Sequence, residues 1–282
     1  VRHSQLRIRD AAEILGYSEA ELLSTKISDT VSFLLIEKIH DFFSDLKKLE
    51  KIMFLTRNDL AVHEKIIKTD SMTVSYSEQS INISAEKFKL DLDKIFYKYA
   101  FAEILKNGNR KLHSFQFFDH FGNAVLKIYL KSGLFDEYAN ITRKYKSVYN
   151  YELQRDNNYS INSKTLTVKN YNLFLTKFTK IELKEKDLLR SILENCSSEG
   201  IALSIILFGP ATIQKYKGQI NKIVDYKGWL NILDASFNLH IQDQKLSERT
   251  LLYKNKIKGD PFYISFFDCS NNLVLSVTIS RK

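Results

Sequence analysis

The sequence predicts an α+β protein made of two similar halves with antiparallel sheets. The first observation is an internal repeat, in which Ser114–Tyr129 (SFQFFDHFGNAVLKIY) matches Tyr263–Thr278 (YISFFDCSNNLVLSVT) at an offset of 149 residues. Ile81–Leu92 matches Leu230–Ile241 at the same offset of 149. Such a long period argues against a solenoid, whose repeats run about 20–50 residues. The second observation is that helices precede a run of strands in each half, which is typical of α+β proteins.

The bulk composition favours a globular protein. A chain of 282 residues with 44% hydrophobic content can form a sizeable core, in one large domain or two coupled ones. The formal charge of +9 suits nucleic acid, an anionic membrane surface or an acidic small ligand. We favour the simpler interpretation, a soluble lysine-rich surface. The two cysteines, Cys196 and Cys269, fit no pairing motif, so we expect reduced thiols in a cytoplasmic protein.

Neither a signal peptide nor a membrane span is expected. The amino-terminal residues lack the apolar segment of a signal peptide. The longest mostly apolar run is Ile201–Phe208, which is far shorter than the roughly 20 residues that cross a bilayer. This run predicts a buried strand.

The first half opens with two short helices in Ile8–Thr25 around a glycine turn. Ser18 and Glu21 form a capping box for the second helix. The pattern resembles the first part of a helix-turn-helix, but acidic residues in both helices oppose contact with phosphate. Nucleic-acid binding is therefore not favoured by this segment.

The rest of the first half predicts a helix, a run of strands, a hairpin and a closing helix. Glu37–Met53 has apolar residues at helical spacing. Lys94–Lys106 is interpreted as helical or irregular. A hairpin is predicted over Ser114–Leu130 around a Gly-Asn turn, and Leu134–Tyr149 is predicted to be helical. Strands are predicted at Met53–Thr56, Ala61–Ile67, Met72–Tyr76 and Ser80–Ile83.

The second half repeats this order after a polar linker at Asn157–Ser163. We therefore divide the chain into a first structural repeat, residues 1–156, and a second, residues 157–282. Asn170–Leu193 is predicted to be helical in pieces, Gln242–Lys258 is a polar stretch, and Pro261–Ile279 forms the final hairpin. Strands are predicted at Ile201–Leu207, Gln214–Tyr216, Ile220–Tyr226, Trp229–Leu233 and Phe237–Ile241.

Residue spacing alone predicts no catalytic centre. No two of the six histidines have the spacing of a helical zinc motif, and there is no phosphate-binding glycine loop or nucleophile elbow. His240 and Asp91 are equivalent in the repeat, since 240 − 91 = 149, and a solvated strand face is the simplest interpretation of both. Composition and spacing thus predict a soluble, duplicated α+β protein.

Five segments carry a resemblance to a known family. In order they are Leu6–Leu23 (LRIRDAAEILGYSEAELL), Thr56–Glu64 (TRNDLAVHE), Ser114–Tyr129, Tyr226–Ile241 (YKGWLNILDASFNLHI) and Ser265–Leu275 (SFFDCSNNLVL). Together they resemble the HemS/HmuS family of cytoplasmic haem-utilisation proteins, also called haemin-degrading factors. The resemblance implies two similar halves, each with a large antiparallel sheet and flanking helices, and a haem site in the second half.

The resemblance also implies site residues. In that family, haem lies between the C-terminal sheet and a helix at the start of the second half, whose histidine binds the iron. Tyr171 takes that histidine's position in Val168–Phe178, so it is the candidate axial ligand, and tyrosinate is a known ligand of haem iron. His63 matches the family histidine in its AVHE segment. Residues at cationic positions that bind the propionates are Lys254, Arg281 and Lys184, the last expected on a helix after Tyr171.

Two family positions are changed in this sequence. Asp93 takes the position of a distal arginine, and Thr278 takes that of a tyrosine on the last strand. Losing a cation near bound oxygen should impair oxygen activation more than haem binding. The resemblance therefore favours haem binding or delivery over efficient degradation in this chain.

Three functional hypotheses remain at this point. The first is a cytoplasmic haem-binding protein in iron acquisition that stores, delivers or degrades imported haem, with a haem importer and an electron-donating reductase as partners. The second is a family member that has lost haem ligation and acts as an interaction or nucleic-acid-binding module. The third is an enzyme acting on another small acidic ligand.

Overall fold

The computed structural model describes residues 8–28, 30–78, 80–93, 97–148, 153, 178–254 and 262–279. Five α-helices lie in these ranges: α1 (Ile8–Leu15), α2 (Glu19–Ser24), α3 (Ile39–Asp45), α4 (Phe135–Tyr145) and α5 (Leu188–Ser198). The first nine strands are β1 (Val31–Leu34), β2 (Lys51–Arg57), β3 (Ala61–Lys68), β4 (Thr73–Tyr76), β5 (Ser80–Ala85), β6 (Phe88–Asp93), β7 (Tyr99–Asn107), β8 (Arg110–Phe118) and β9 (Ala124–Leu130).

The remaining strands all follow residue 178. They are β10 (Thr179–Lys184), β11 (Leu203–Gly209), β12 (Thr212–Gly218), β13 (Ile223–Tyr226), β14 (Trp229–Leu233), β15 (Phe237–Ile241), β16 (Leu246–Lys254), β17 (Phe262–Asp268) and β18 (Leu273–Ile279). Short 3-10 helices cover Leu46–Leu49, Thr69–Ser71 and Asp243–Lys245. Within the described residues, no helix is long and apolar enough to cross a membrane.

The strands form two nine-stranded sheets in which every pair is antiparallel. The first sheet has the order β1-β7-β8-β9-β2-β3-β15-β14-β13, and the second has the order β10-β16-β17-β18-β11-β12-β6-β5-β4. This architecture confirms the predicted α+β fold of two similar halves with large antiparallel sheets. Each sheet takes six strands from one half and three from the other, so the two halves exchange a three-stranded meander.

The strands that the two halves exchange are equivalent in the internal repeat. β5 and β14, and likewise β6 and β15, are separated by the offset of 149 residues found in the sequence. The joining pairs are equivalent as well, because β3 pairs with β15 in the first sheet and β12 pairs with β6 in the second. The domain boundary and linker near residue 157 lie outside the described residues.

The two sheets bury their inner faces against each other. Phe54 of β2 stacks on Phe88 of β6 with ring centroids 5.2 Å apart, and Tyr216 of β12 stacks on Phe237 of β15 at 3.9 Å. Each pair joins one sheet to the other, and Phe88 and Phe237 are repeat equivalents. Helices complete the inner core, with α3 and α4 beside the first sheet and α5 beside the second.

Three sequence predictions of secondary structure are wrong. Lys94–Lys106 was expected to be helical or irregular, but Tyr99–Asn107 is a strand whose two faces are both largely buried, so its apolar residues show no alternation. The polar stretch Gln242–Lys258 contains β16. Within Asn170–Leu193, residues 179–184 form β10 and only residues 188–193 begin α5; the part before residue 178 lies outside the described residues.

Candidate functional site

The outer face of the second sheet is the side turned away from the first sheet. One row of directly opposed residues crosses seven of its strands: Glu182, Leu251, Ser265, Ser276, Ile206, Lys215 and Lys89. Residues opposed in antiparallel strands share a face. The row thus runs from a carboxylate, across a floor of small and apolar side chains, to two lysines.

The side chains at the centre of this face are small and polar. The hydroxyls of Ser265 and Ser276 lie 2.7 Å apart in a hydrogen bond, and both residues are fully buried. Thr278 lies on the same face, opposite Tyr263 on one side and Ser204 on the other. Its hydroxyl is buried and has no hydrogen-bond partner among the residues that the structure describes. An unsatisfied buried hydroxyl costs about 1–3 kcal/mol, so a polar group of a ligand would relieve this cost.

Apolar and aromatic side chains surround the polar centre. The buried cluster on this face consists of Ile206, Phe208, Leu251, Tyr253, Phe267 and Leu273. Phe178 packs edge-on against Tyr263 with ring centroids 5.3 Å apart. Burial raises the pKa of Tyr253, so its phenol stays protonated. The face thus combines the apolar lining and few polar groups typical of small-molecule sites.

Cations lie at the β10–β16 side of this face. The Arg249 guanidinium is 5.2 Å from the ring centroid of Phe267 and 3.4 Å from the Glu182 carboxylate. It also donates to the side-chain oxygen of Asn271 at 3.2 Å. Lys184 is directly opposite Arg249 and is exposed. Arg249 is therefore already partnered, whereas Lys184 is open to solvent.

The structure separates the two predicted propionate-binding lysines that it describes. Lys184 ends β10 and is not on a helix as expected, because residues 179–184 pair along β16. Lys254 pairs with Thr179, five positions along β16 from the residue opposite Lys184. Five residues of strand span about 17 Å, and alternate positions point to opposite faces. The two lysines therefore do not meet at one carboxylate.

The other predicted site residues are distributed differently. Tyr171 and Arg281 lie outside the described residues. His63 is fully buried between the two sheets, where its Nδ1 is 2.5 Å from the side-chain nitrogen of Gln214. Burial lowers the pKa of His63 to about 3, so the ring is neutral. The structure therefore does not bring His63 to the outer face of the second sheet.

The outer face of the first sheet carries charged and polar residues at its centre, beside an apolar cluster that includes Phe101 and Phe118. Gln116 donates to the Glu103 carboxylate at 2.6 Å, and the Lys127 ammonium lies 3.6 Å from the Glu19 carboxylate. Glu19 also pairs with Arg57. Glu19 is held there by α2, which starts at the Ser18 capping box predicted from the sequence. Burial, with Arg57 adding to it, lowers the pKa of Lys127 to about 7.

The repeat relates the two outer faces residue by residue. Gln116 is equivalent to Ser265 and Lys127 to Ser276, both at the offset of 149. Long side chains thus fill the first face at the positions where the second face has serines. Sequence reasoning missed both serines, although aligning the two repeats would have shown the loss of side-chain volume.

A cavity of about 840 Å³ lies beside α1 and the β2–β3 turn. Its wall includes ion pairs between Arg9 and Asp59 and between Arg57 and Glu19. Those charges neutralise each other within the protein, and the lining comes from both sheets, since it includes Pro210 of the β11–β12 turn. It therefore fits a large apolar ligand less well than the outer face of the second sheet does.

Comparison with known proteins relates this chain to haem proteins. The family model described as "Haemin-degrading HemS.ChuX domain" matches residues 16–146 and 178–282. The chain is 20% identical to the hemin transport protein HmuS of Yersinia pestis over 276 residues, covering 87% of this chain and 79% of HmuS. The heme-degrading enzyme ChuS of Escherichia coli O157:H7 superposes with a TM-score of 0.86 at 18% identity, covering 100% of this chain and 90% of ChuS.

A second solved structure has the same fold. Holo-PhuS, a heme-binding protein from Pseudomonas aeruginosa, superposes with a TM-score of 0.82 at 21% identity. The superposition covers 99% of this chain and 89% of PhuS. The two-sheet architecture is therefore shared over nearly the whole length of each protein.

Proposed function

The chain belongs to the haemin-degrading HemS/ChuX family, and from this we propose that it binds haem on the outer face of its second sheet and acts in haem utilisation. In this proposal, the protein stores, delivers or degrades imported haem. The haem is therefore a ligand or substrate that the protein holds.

One observation carries the location of the site. Ser265 and Ser276 stand where the first sheet has Gln116 and Lys127, so the floor of the second face is more deeply recessed than its counterpart. Around that floor are aromatic and aliphatic side chains, and at its centre is the unpartnered Thr278 hydroxyl. A planar apolar ligand with polar substituents fits this combination.

Each part of this face has a defined role in the proposal. The apolar cluster packs against the porphyrin and excludes water from it. The Thr278 hydroxyl donates to a polar group of the ligand, and the cations hold the carboxylates by charge-assisted hydrogen bonds. The resemblance assigns Lys184, Lys254 and Arg281 to the carboxylates and Tyr171 to the iron. Of the two described lysines, Lys184 lies on the outer face, whereas Lys254 points to the other side of the sheet. When bound, the haem would supply a redox-active iron centre.

We favour binding and delivery over degradation for this chain. The resemblance assigns Asp93 to the position of the distal arginine, and Asp93 shares a strand face with Asp91 and Lys89. A carboxylate there gives no positive charge to bound oxygen. Degradation would need an external electron donor. Delivery would need a haem importer that passes imported haem to this protein on the cytoplasmic side of a membrane. Both partners, and the cytoplasmic location, are parts of this proposal.

A ferric-haem titration of the wild type and of Tyr171→Phe tests the proposal. We expect tight binding seen as a Soret shift, with a tyrosinate charge-transfer band that is lost in the variant. Tight binding with an unchanged spectrum in Tyr171→Phe would move the iron ligand to another residue and leave the haem function in place. Absence of any Soret shift in the wild type would overturn the function and favour an interaction module that has lost haem ligation.

A further inference from the structure

Three lysines lie side by side on the outer face of the second sheet, where β12 of one half pairs with β6 of the other. Lys215 and Lys89 are directly opposed, and Lys217 follows two residues along β12 on the same face. We call Lys89, Lys215 and Lys217 the lysine triad. Within the described part of the chain, none of the three side chains forms an ion pair or a hydrogen bond.

The triad is electrostatically unfavourable in the protein alone. Like charges directly opposed on neighbouring strands destabilise a sheet. Burial, followed by the charges of Lys89 and Lys217, lowers the pKa of Lys215, and Asp91 offsets these effects only in part. A stretch of sheet with no other function would not need this arrangement.

Other opposed lysines in the molecule differ from the triad. Lys51 faces Lys68, and Lys106 faces Lys111, but all four lie at or next to strand ends and are exposed. Solvent screens charges in such positions. Lys215 is half-buried in the middle of a strand at the centre of the second sheet, where screening is weaker.

The repeat provides an internal reference for the triad. The first sheet has Glu64 where the second has Lys215, and Asn238 where the second has Lys89. Asn238 donates to the Glu64 carboxylate at 3.0 Å. The first sheet thus satisfies this pair by a hydrogen bond within the protein, whereas in the described part of the second sheet the neighbouring Asp91 carboxylate offsets the lysine charges only in part.

We propose that the lysine triad is a binding site for a compact anion with two or more negative charges, either a phosphoryl group or a pair of carboxylates. Lysine binds both as a point charge, and a bound anion would remove the repulsion within the triad. The triad spans only two neighbouring strands, about 5 Å apart. The triad is too compact to bind a nucleic-acid backbone, because a protein that binds DNA makes about 6–10 phosphate contacts.

The test measures binding of inorganic pyrophosphate by calorimetry at low ionic strength, without haem. We expect wild type to bind and Lys215→Met to bind at least about tenfold more weakly, because hydrogen bonds to charged groups contribute about 1.5–3 kcal/mol each. Lys89→Met, a change at an exposed position, repeats the test without disturbing the core. Lys51→Met is the matched control from an exposed opposed pair and should bind as wild type does.

A second arm identifies carboxylates as the anion source. Haem and its dimethyl ester, which lacks free carboxylates, are titrated into wild type, Lys215→Met, Lys89→Met and the control Lys51→Met. A preference for haem over the ester that is lost in the variant supports the carboxylate source, and triad-dependent pyrophosphate binding supports the phosphoryl source.

The two arms also separate this inference from the proposed function. If wild type binds neither haem nor the ester, the haem function fails, while the pyrophosphate arm still tests the triad. The triad proposal is overturned if Lys215→Met and Lys89→Met match wild type in both arms. It is overturned equally if Lys51→Met loses as much affinity as they do.

Discussion

The outer faces of the two sheets are equivalent in the internal repeat, but they carry different side chains at their centres. On the first sheet, Gln116 and Lys127 occupy the centre and belong to a buried charge network with Glu103 and Glu19. On the second sheet, the equivalent centre is a serine pair next to an unpartnered threonine hydroxyl.

This difference shows how a duplicated sheet can divide its roles. In the first half, long side chains fill the face and their charges are paired inside the protein, so the face contributes to stability. In the second half, short side chains recess the floor, and the charges of the nearby lysines are compensated only in part by Asp91, so the face is suited to a ligand. The following predictions test that division.

Neutralising the buried network should have the largest effect, and only on stability. Glu19→Gln leaves Arg57 and Lys127 without their carboxylate. Removing one partner of a buried ion pair costs about 3–5 kcal/mol. We expect a loss of this size in chemical denaturation, with haem affinity unchanged under native conditions. Glu13→Gln, on the exposed side of α1, is the control and should leave stability unaltered. A loss of haem affinity with intact folding would contradict the division.

Larger side chains at the centre of the second sheet's outer face should weaken ligand binding. Ser265→Gln with Ser276→Lys transfers the first half's side chains to the second. Extra volume in a packed site costs about 1–3 kcal/mol, and a loss of this size in binding free energy corresponds to about fivefold to 150-fold in haem affinity. Absorbance titration gives the affinity, and circular dichroism shows that the variant is folded. Ser75→Lys, on an exposed edge strand, is the control. Unchanged affinity in the double variant would place the ligand elsewhere.

The histidine between the sheets should affect stability through pH without affecting either face. Because the pKa of His63 is lowered to about 3, the unfolded chain takes up a proton below pH 6.5 that the folded protein does not. The stability from neutral His63 is complete above about pH 6.5 and is lost as pH falls towards 3, by about 2 kcal/mol at pH 5.

Denaturation at pH 7 and pH 5 measures this contribution. His63→Gln, which keeps a polar group beside Gln214, should reduce the pH dependence by about 2 kcal/mol. His40→Gln on the exposed side of α3 serves as control and should retain the wild-type pH dependence. An unchanged pH dependence in His63→Gln would show that other groups govern acid unfolding.

The smallest effect is expected at the unpartnered hydroxyl. Thr278→Val keeps the shape of the side chain and removes a buried oxygen without a hydrogen bond. We expect the ligand-free variant to gain about 1 kcal/mol of stability and to bind haem more weakly. Thermal unfolding and absorbance titration measure the two changes. A loss of ligand-free stability would mean that the hydroxyl is satisfied within the protein.

Local sequence patterns determined much of the fold. The repeat at an offset of 149 predicted the duplication, and the strand at Trp229–Leu233 has the predicted bounds. The hairpin of β8 and β9 forms around the predicted Gly-Asn turn, where Gly122 has a φ of 76°. These features depend on turn chemistry and on side-chain alternation within a few residues, which a sequence shows directly.

Other features had no local signal. β7 is buried on both faces, so its apolar run gave no alternation, and β16 carries polar and charged residues that hid its strand character. Lys184 was expected on a helix because the resemblance places it on the helix after Tyr171, but it ends the exposed strand β10. In each case the pairing partner, and not the segment's own pattern, decides the conformation.

By itself, the sequence determined the duplication, the α+β class and the family. Only the tertiary structure decided that each half contributes three strands to the other's sheet and which side chains share a face. It thereby brought Lys215 of one half opposite Lys89 of the other and placed Lys184 and Lys254 apart. The physical reason is that strand register fixes the face and the neighbours of every side chain, and here that register joins residues more than a hundred positions apart.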